Sequence, residues 1–201
     1  DSDTLTYAFC TECMVEGTAI DARRVREAIG DLGDSIIVAG SGAKVRVHIH
    51  SDDPNQVFRT VEQFGSVREP KADDMRKQFA QAHTAHGEIA LVIDSACDLP
   101  EELAARPDIA MVPLGLHLGK KSFLDKVGIT PQQYYRLLSA DPTSKPTTSQ
   151  PTPQEFRKQL DFLAQHYKHV VVLTISSGLS GTYSAAYTAA TAVEQAAGNR
   201  A

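Results

Sequence analysis

With 201 residues, 42 % of them hydrophobic and 22 % charged, the chain holds enough apolar material for one large or two small cores. A net charge of −5 argues against nucleic acid as a main partner. Three cysteines, Cys10, Cys13 and Cys97, are too few for a disulfide framework and fit a reducing cytoplasm; no apolar run reaches the roughly 18–20 residues that span a bilayer, and no signal peptide opens the chain.

The start at Asp1-Ser2-Asp3, without Met, and the stop just after a helical pattern lead us to expect a fragment of a longer protein. Residues 4–15 carry β-formers around Cys10-Thr11-Glu12-Cys13 and predict a strand. Asp21 caps a helix with Val25, Ala28, Ile29 and Leu32 at helical spacing, and Gly33 stops it. Ser35 to Ala39 and Ala43 to His50 flank Gly40-Ser41-Gly42 and predict a hairpin. In its second arm Val45, Val47 and Ile49 face one way, and Arg46, His48 and His50 the other. Asp53 and Pro54 open the next helix, with Gln56 in capping-box place and Val57, Phe58, Val61 and Phe64 as its stripe. The order β-α-β-β-α predicts a small α+β domain over 1–84, ferredoxin-like. The charged run Lys71 to Phe79 predicts an amphipathic connector helix with a solvated face, closed by His86-Gly87.

From residue 87 the texture is α/β, predicting a Rossmann-like domain with a parallel sheet over 87–201. Ile89 to Ile93 predicts a buried strand ending in Asp94-Ser95, and Ile109 to Val112 a second. Thr130-Pro131-Gln132-Gln133 and Thr152-Pro153-Gln154-Glu155 start helices, the first with Tyr134, Leu137 and Leu138 inward, the second with Phe156, Leu160 and Leu163. Between them lies the hydroxyl-rich Pro146-Thr147-Thr148-Ser149-Gln150-Pro151. The stretch around which the chain is organised follows. Val170 to Ile175 reads as a buried parallel strand, Ser176 to Thr182 as a tight loop with Ser180 as N-cap, and an alanine-rich helix begins at Tyr183.

In α/β sheets ligands sit outside the carboxyl ends of strands. Ser95 and the loop carrying Ser177, Ser180, Gly181 and Thr182 both follow strands. If Thr148 and Ser149 fold over that edge, three hydroxyl clusters and a helix start converge on a site for a carboxylate or phosphate. A P-loop is excluded because no Lys follows Gly181, and a nucleophile elbow because Gly178-Leu179-Ser180-Gly181-Thr182 lacks its last Gly. A Ser…Asp…His order cannot be completed, since no histidine follows His169. Elsewhere, His48 and His50 share one face of a strand, with Cα atoms roughly 6.5–7 Å apart. With Cys10 on a neighbouring strand they form a candidate three-ligand zinc site, to which Cys13, Glu12 or water could add a fourth donor.

Three segments, Asp94-Ser95-Ala96-Cys97-Asp98-Leu99-Pro100, Pro146 to Pro151, and Ser176 to Tyr183, closely resemble the signatures of DegV-family proteins in order and approximate spacing. The resemblance implies a protein that binds a long-chain fatty acid and presents its carboxylate to a partner kinase, with Thr148 and Ser180 holding the carboxylate. The first 80 or so residues resemble the central region of a dihydroxyacetone-kinase-like fatty acid kinase through Phe9-Cys10-Thr11-Glu12, Gly33-Asp34-Ser35, Val45 to His50 and Asp53-Pro54. That family's cysteine and paired histidines correspond to Cys10, His48 and His50. Together these imply a natural fusion of kinase and acyl carrier. ATP and magnesium belong to the kinase's nucleotide-binding domain, expected before Asp1 or on a partner, so this chain alone is expected not to transfer phosphate. Transient membrane contact and a homodimer complete the expected partnerships. A metal-dependent hydrolase centred on Cys10, His48 and His50, and a ligand-free interaction module, are the alternatives.

Overall fold

A computed structural model describes residues 5–83, 87–119 and 121–198. The expected connector end at His86 lies outside them. The chain divides into two compact units, one built from residues 1–76 and 118–145, the other from 77–117 and 146–201. This cuts the chain elsewhere than the 1–84 and 87–201 division. Residues 118–145 go with the first unit because Leu124 and Val127 pack into its core.

In the first unit, β1 (Phe9–Ile20) lies between β2 (Asp34–Ser51) and β3 (Ser66–Asp74), antiparallel to both. Alternation along β1 sends Cys13 and Val15 inward, where they meet Val45, Val47 and Ile49 of β2. Two helices add to that core, α1 (Ala22–Ala28) through Val25 and α2 (Pro54–Val61) through Val57, Phe58 and Val61. Each starts at its expected cap: Asp21 accepts the Arg23 N–H and Asp53 accepts the Gln56 N–H. Strand pairing is continuous along β2, yet the chain doubles back inside it. Sixteen residues of straight strand would part Asp34 from His50 by about 50 Å, whereas their side chains stand 3.5 Å apart. The reversal falls at Gly40 and Gly42, both with positive φ.

Lys71 to Asp74, expected as the start of a helix, is strand. Its backbone pairs with β1, Glu12 opposite Lys71 and Phe9 opposite Asp74, and the ladder overrides a weak helical pattern. The helix α3 (Met75–His83) begins only after it. β7 (Lys121–Leu124) and α5 (Pro131–Ala140) also belong to this unit; α5 opens on a complete Thr130/Gln133 capping box, and its Tyr134, Leu137 and Leu138 are half-buried.

The second unit is built on a parallel sheet of β4 (Ile89–Asp94), β5 (Ile109–Val112) and β9 (His169–Leu173), in the order β5-β4-β9. A short helix, α4 (Glu101–Ala104), connects β4 to β5. Ala90, Val92, Ala110 and Val112 meet Phe156, Leu160 and Leu163 of α6 (Pro153–Leu163) and Ala185, Ala186 and Ala189 of α7 (Thr182–Gly198). Small alanines on α7 let the two helices share one face of the sheet. β9, expected to be buried, is half open. It is the last strand in the order, and Val171 and Leu173 are 50 % and 55 % exposed on the face away from α6 and α7. Two short strands, β6 (Gly115–Leu118) and β8 (Pro146–Ser149), lie side by side.

Candidate functional site

Strand β4 lies mid-sheet: the chain passes from it to β5 on one side and returns later as β9 on the other, and α/β sheets take ligands at the carboxyl ends of strands where the order reverses in this way. Asp94 closes the strand there at 1 % exposure. One carboxylate oxygen accepts the Ala96 N–H at 3.0 Å, and the other accepts the Ile175 N–H at 2.7 Å across 81 residues of sequence. A buried anion is tolerated because it takes two amide donors, and in return it ties the loop after β9 to the end of β4. Ser95 is equally buried; its Oγ accepts the Leu114 N–H and its own N–H goes to the Val112 carbonyl. Its hydroxyl thus anchors the chain entering β6 and faces no solvent.

After β9, Leu179 and Ser180 donate their N–H groups to the Ser176 carbonyl, and Gly178 donates to Ser176 Oγ. The loop is therefore held by its own turn bonds. Ser177 is exposed, Ser180 half-buried and Thr182 fully buried. The helical N-cap falls one residue later than expected, at Gly181, whose carbonyl accepts the Ala185 N–H. Ser180 Oγ accepts the Thr182 N–H at 3.2 Å and lies 2.8 Å from Thr182 Oγ1. When Thr182 donates in that hydroxyl pair, the Ser180 proton is left for an outside acceptor, at a helix start where negative charge is favoured.

The hydroxyl segment between α5 and α6 forms β8. Thr148 and Ser149 are both exposed but take opposite faces of the strand. Ser149 Oγ sits 3.1 Å from His117 Nε2 and against Gly115, which have the same parity on β6. Thr148 shares its parity with Gln150. The Gln150 side chain lies directly on Gly181: a Cβ built there would stand 2.9 Å from Gln150 Cδ and 3.0 Å from its Nε2. The segment carrying Thr148 thus meets the loop carrying Ser180. Neither Gln150 nor His117 stands out by residue type. Glycine is an ordinary N-cap residue, so the sequence carries no signal that Gln150 crowds position 181.

In the first unit, Cys10 is opposite His50 and Glu12 opposite His48 in the β1–β2 register. Donor atoms of Cys10, His48 and His50 all lie within 4.8 Å of one another, each side chain half-buried. Cys10 Sγ is 3.8 Å from His48 Nδ1, close to the separation of two ligands around one zinc ion. Glu12 Oε1 is 3.0 Å from the same Nδ1, and Asp34 Oδ1 is 3.5 Å from His50 Nδ1. Cys13 cannot join them, because odd-numbered β1 residues face the core; burial, helped by the Glu12 charge, pushes its thiol up to about 12.

Residues 88–198, more than half of the chain, match the family described as "Uncharacterised protein, DegV family". This chain belongs to the DegV family. Ahead of that region, residues 6–82 match a middle domain of the fatty-acid-kinase-like type. A DegV domain-containing protein of Caldanaerobacter subterraneus subsp. tengcongensis is 36 % identical over 107 residues, which cover 53 % of this DegV chain and 38 % of the relative. An uncharacterized protein of Staphylococcus saprophyticus subsp. saprophyticus is 24 % identical over 152 residues, 74 % of this chain and 26 % of its own. Among solved structures, a stearic-acid-binding protein from Eubacterium ventriosum is 33 % identical, covers 53 % of this chain and 37 % of its own, and superposes with a TM-score of 0.49. The chain thus spans well under half the length of these relatives. Among the described residues no helix is long and apolar enough to cross a membrane.

Proposed function

We propose that the second unit grips the carboxylate of a long-chain fatty acid, with Thr148 and Ser180 as principal donors. The observation carrying this reading is the seat of Gln150 on Gly181, which joins the two hydroxyl segments. The α7 start supplies partial positive charge without a lysine, as suits an acid head that must stay accessible to another reactant. A region matching a fatty-acid-kinase middle domain, directly ahead of a DegV region, supports a longer protein in which acyl carrier and kinase are joined. On this reading ATP and magnesium are handled by a separate nucleotide-binding domain, and this chain presents the acid.

Cys10, His48 and His50 would hold zinc, with a structural role that pins β1 to β2. The finer fold descriptions fit this division. The path β1-α1, a doubled-back β2, then α2-β3 supports a ferredoxin-like first unit, and the β5-β4-β9 order supports a Rossmann-like second one. Cys10, Cys13 and Cys97 all stand as reduced thiols, which agrees with a cytoplasmic setting. Displacement of a fluorescent fatty acid by palmitate tests the carboxylate site. Ser180→Ala and Thr148→Ala are each expected to weaken palmitate about tenfold, the scale of one hydrogen bond to a charged group. Unchanged affinity in both variants would refute it.

A further inference from the structure

Gly181 has no conformational need to be glycine. Its φ lies outside the left-handed region adopted by Gly40, Gly42 and Gly119. It occupies a helix N-cap, a position that glycine tolerates but that Ser, Asp and Asn fill better. What fills the space its side chain would take is one group, the Gln150 carboxamide, whose three terminal heavy atoms are the nearest neighbours of a Cβ built there. Gln150 in turn sits between Thr148, two residues back on β8, and the buried Pro151 that leads into α6. The contact links two segments about thirty residues apart, at the point where each carries its proposed carboxylate donor.

From this we infer that Gln150 is a positioning residue of the anion site: its carboxamide, seated on the bare Gly181 backbone, sets the spacing between Thr148 and Ser180. The inference rests on the carboxylate reading above. It assigns to glycine at 181 the task of leaving room for that seat, and to glutamine the task of filling it with a neutral dipole. A carboxylate in the same seat would place negative charge beside the bound acid head.

The consequence is a specific pattern in palmitate affinity. A methyl at position 181 meets only the far end of a flexible side chain, so Gly181→Ala displaces the carboxamide at little cost to the fold. Gln150→Ala removes it. Each is expected to weaken palmitate about five- to tenfold, and the double variant no more than either alone, because both remove the same seat. Gln150→Glu, nearly isosteric, should bind more weakly than Gln150→Ala. Melting temperatures of all four should stay near that of the parent, which a merely structural contact would not allow together with non-additive affinity losses. Should palmitate bind the variants as tightly as the parent, or should the two losses multiply in the double variant, the positioning role falls while the carboxylate reading stands. Should the parent itself bind no palmitate, the carboxylate reading falls, and the positioning role with it.

Discussion

Asp94 shows how much one buried side chain organises. Its two oxygens accept the N–H groups of exposed Ala96 and half-buried Ile175, so Asp94→Ala would remove both charge-assisted bonds and free the loop that carries Ser180. We expect a loss of about 3 kcal/mol in urea unfolding, with Asp94→Asn, which keeps one acceptor, losing roughly half as much. Cys13 gives a second residue-level prediction, in pH. Its thiol has an ordinary value of 9.0 and is pushed up to about 12 in the fold, first by burial and then by the Glu12 charge. The unfolded chain therefore releases this proton before the folded one does. The contribution is fully present below pH 9 and is lost as pH rises from about 9 towards 12. Subtracting the pH profile of Cys13→Val from that of the parent isolates this slope, and a flat difference above pH 9 would contradict the burial argument.

At the scale of elements, the doubled-back β2 is the feature most exposed to a single change. Gly40 has a φ of +113°, and a side chain there would run into the Lys44 carbonyl and come within 3.2 Å of Val45 Cα. Gly42 also has positive φ, +70°, but open space around it. Gly40→Ala is expected to cost about 2 kcal/mol or more and Gly42→Ala only about 1 kcal/mol, read from urea midpoints, because the first adds a backbone collision to the strained angle. The same turn brings His50 beside Asp34 and keeps the His48–His50 face aligned with Cys10. On the zinc reading proposed above, zinc content measured by mass spectrometry should therefore fall in Gly40→Ala as well as in Cys10→Ser, although Gly40 would contribute no ligand.

Over the whole chain, the first unit takes residues from two separate stretches of sequence. Leu124, 4 % exposed, completes a core otherwise drawn from residues 13–72, and Val127 packs against it. A fragment of residues 1–83 would lack both, and we expect it to be destabilised by about 2 kcal/mol relative to the same core in the complete chain, with stronger binding of a hydrophobic dye. In the second unit the exposed Val171 and Leu173 make the opposite prediction: Thr at either position should cost under about 1 kcal/mol.

Periodicity by itself determined the inward faces of the second arm of β2 and of α6, and capping chemistry the helix starts at Asp21, Asp53, Thr130 and Thr152, because those features follow from rules acting over four or five residues. Three motif segments also carried the family. Only the tertiary structure could turn Lys71 to Asp74 into strand, open one face of β9, or fold residues 118–145 into the first core, since each depends on which partner is present. The site divides in the same way. Hydroxyls at a strand end are written in the local sequence, but burial withdraws Ser95 and Thr182, strand parity turns Ser149 towards His117, and Gln150 meets Gly181. Those outcomes rest on contacts between residues some thirty positions apart, and local spacing does not encode contacts at that range.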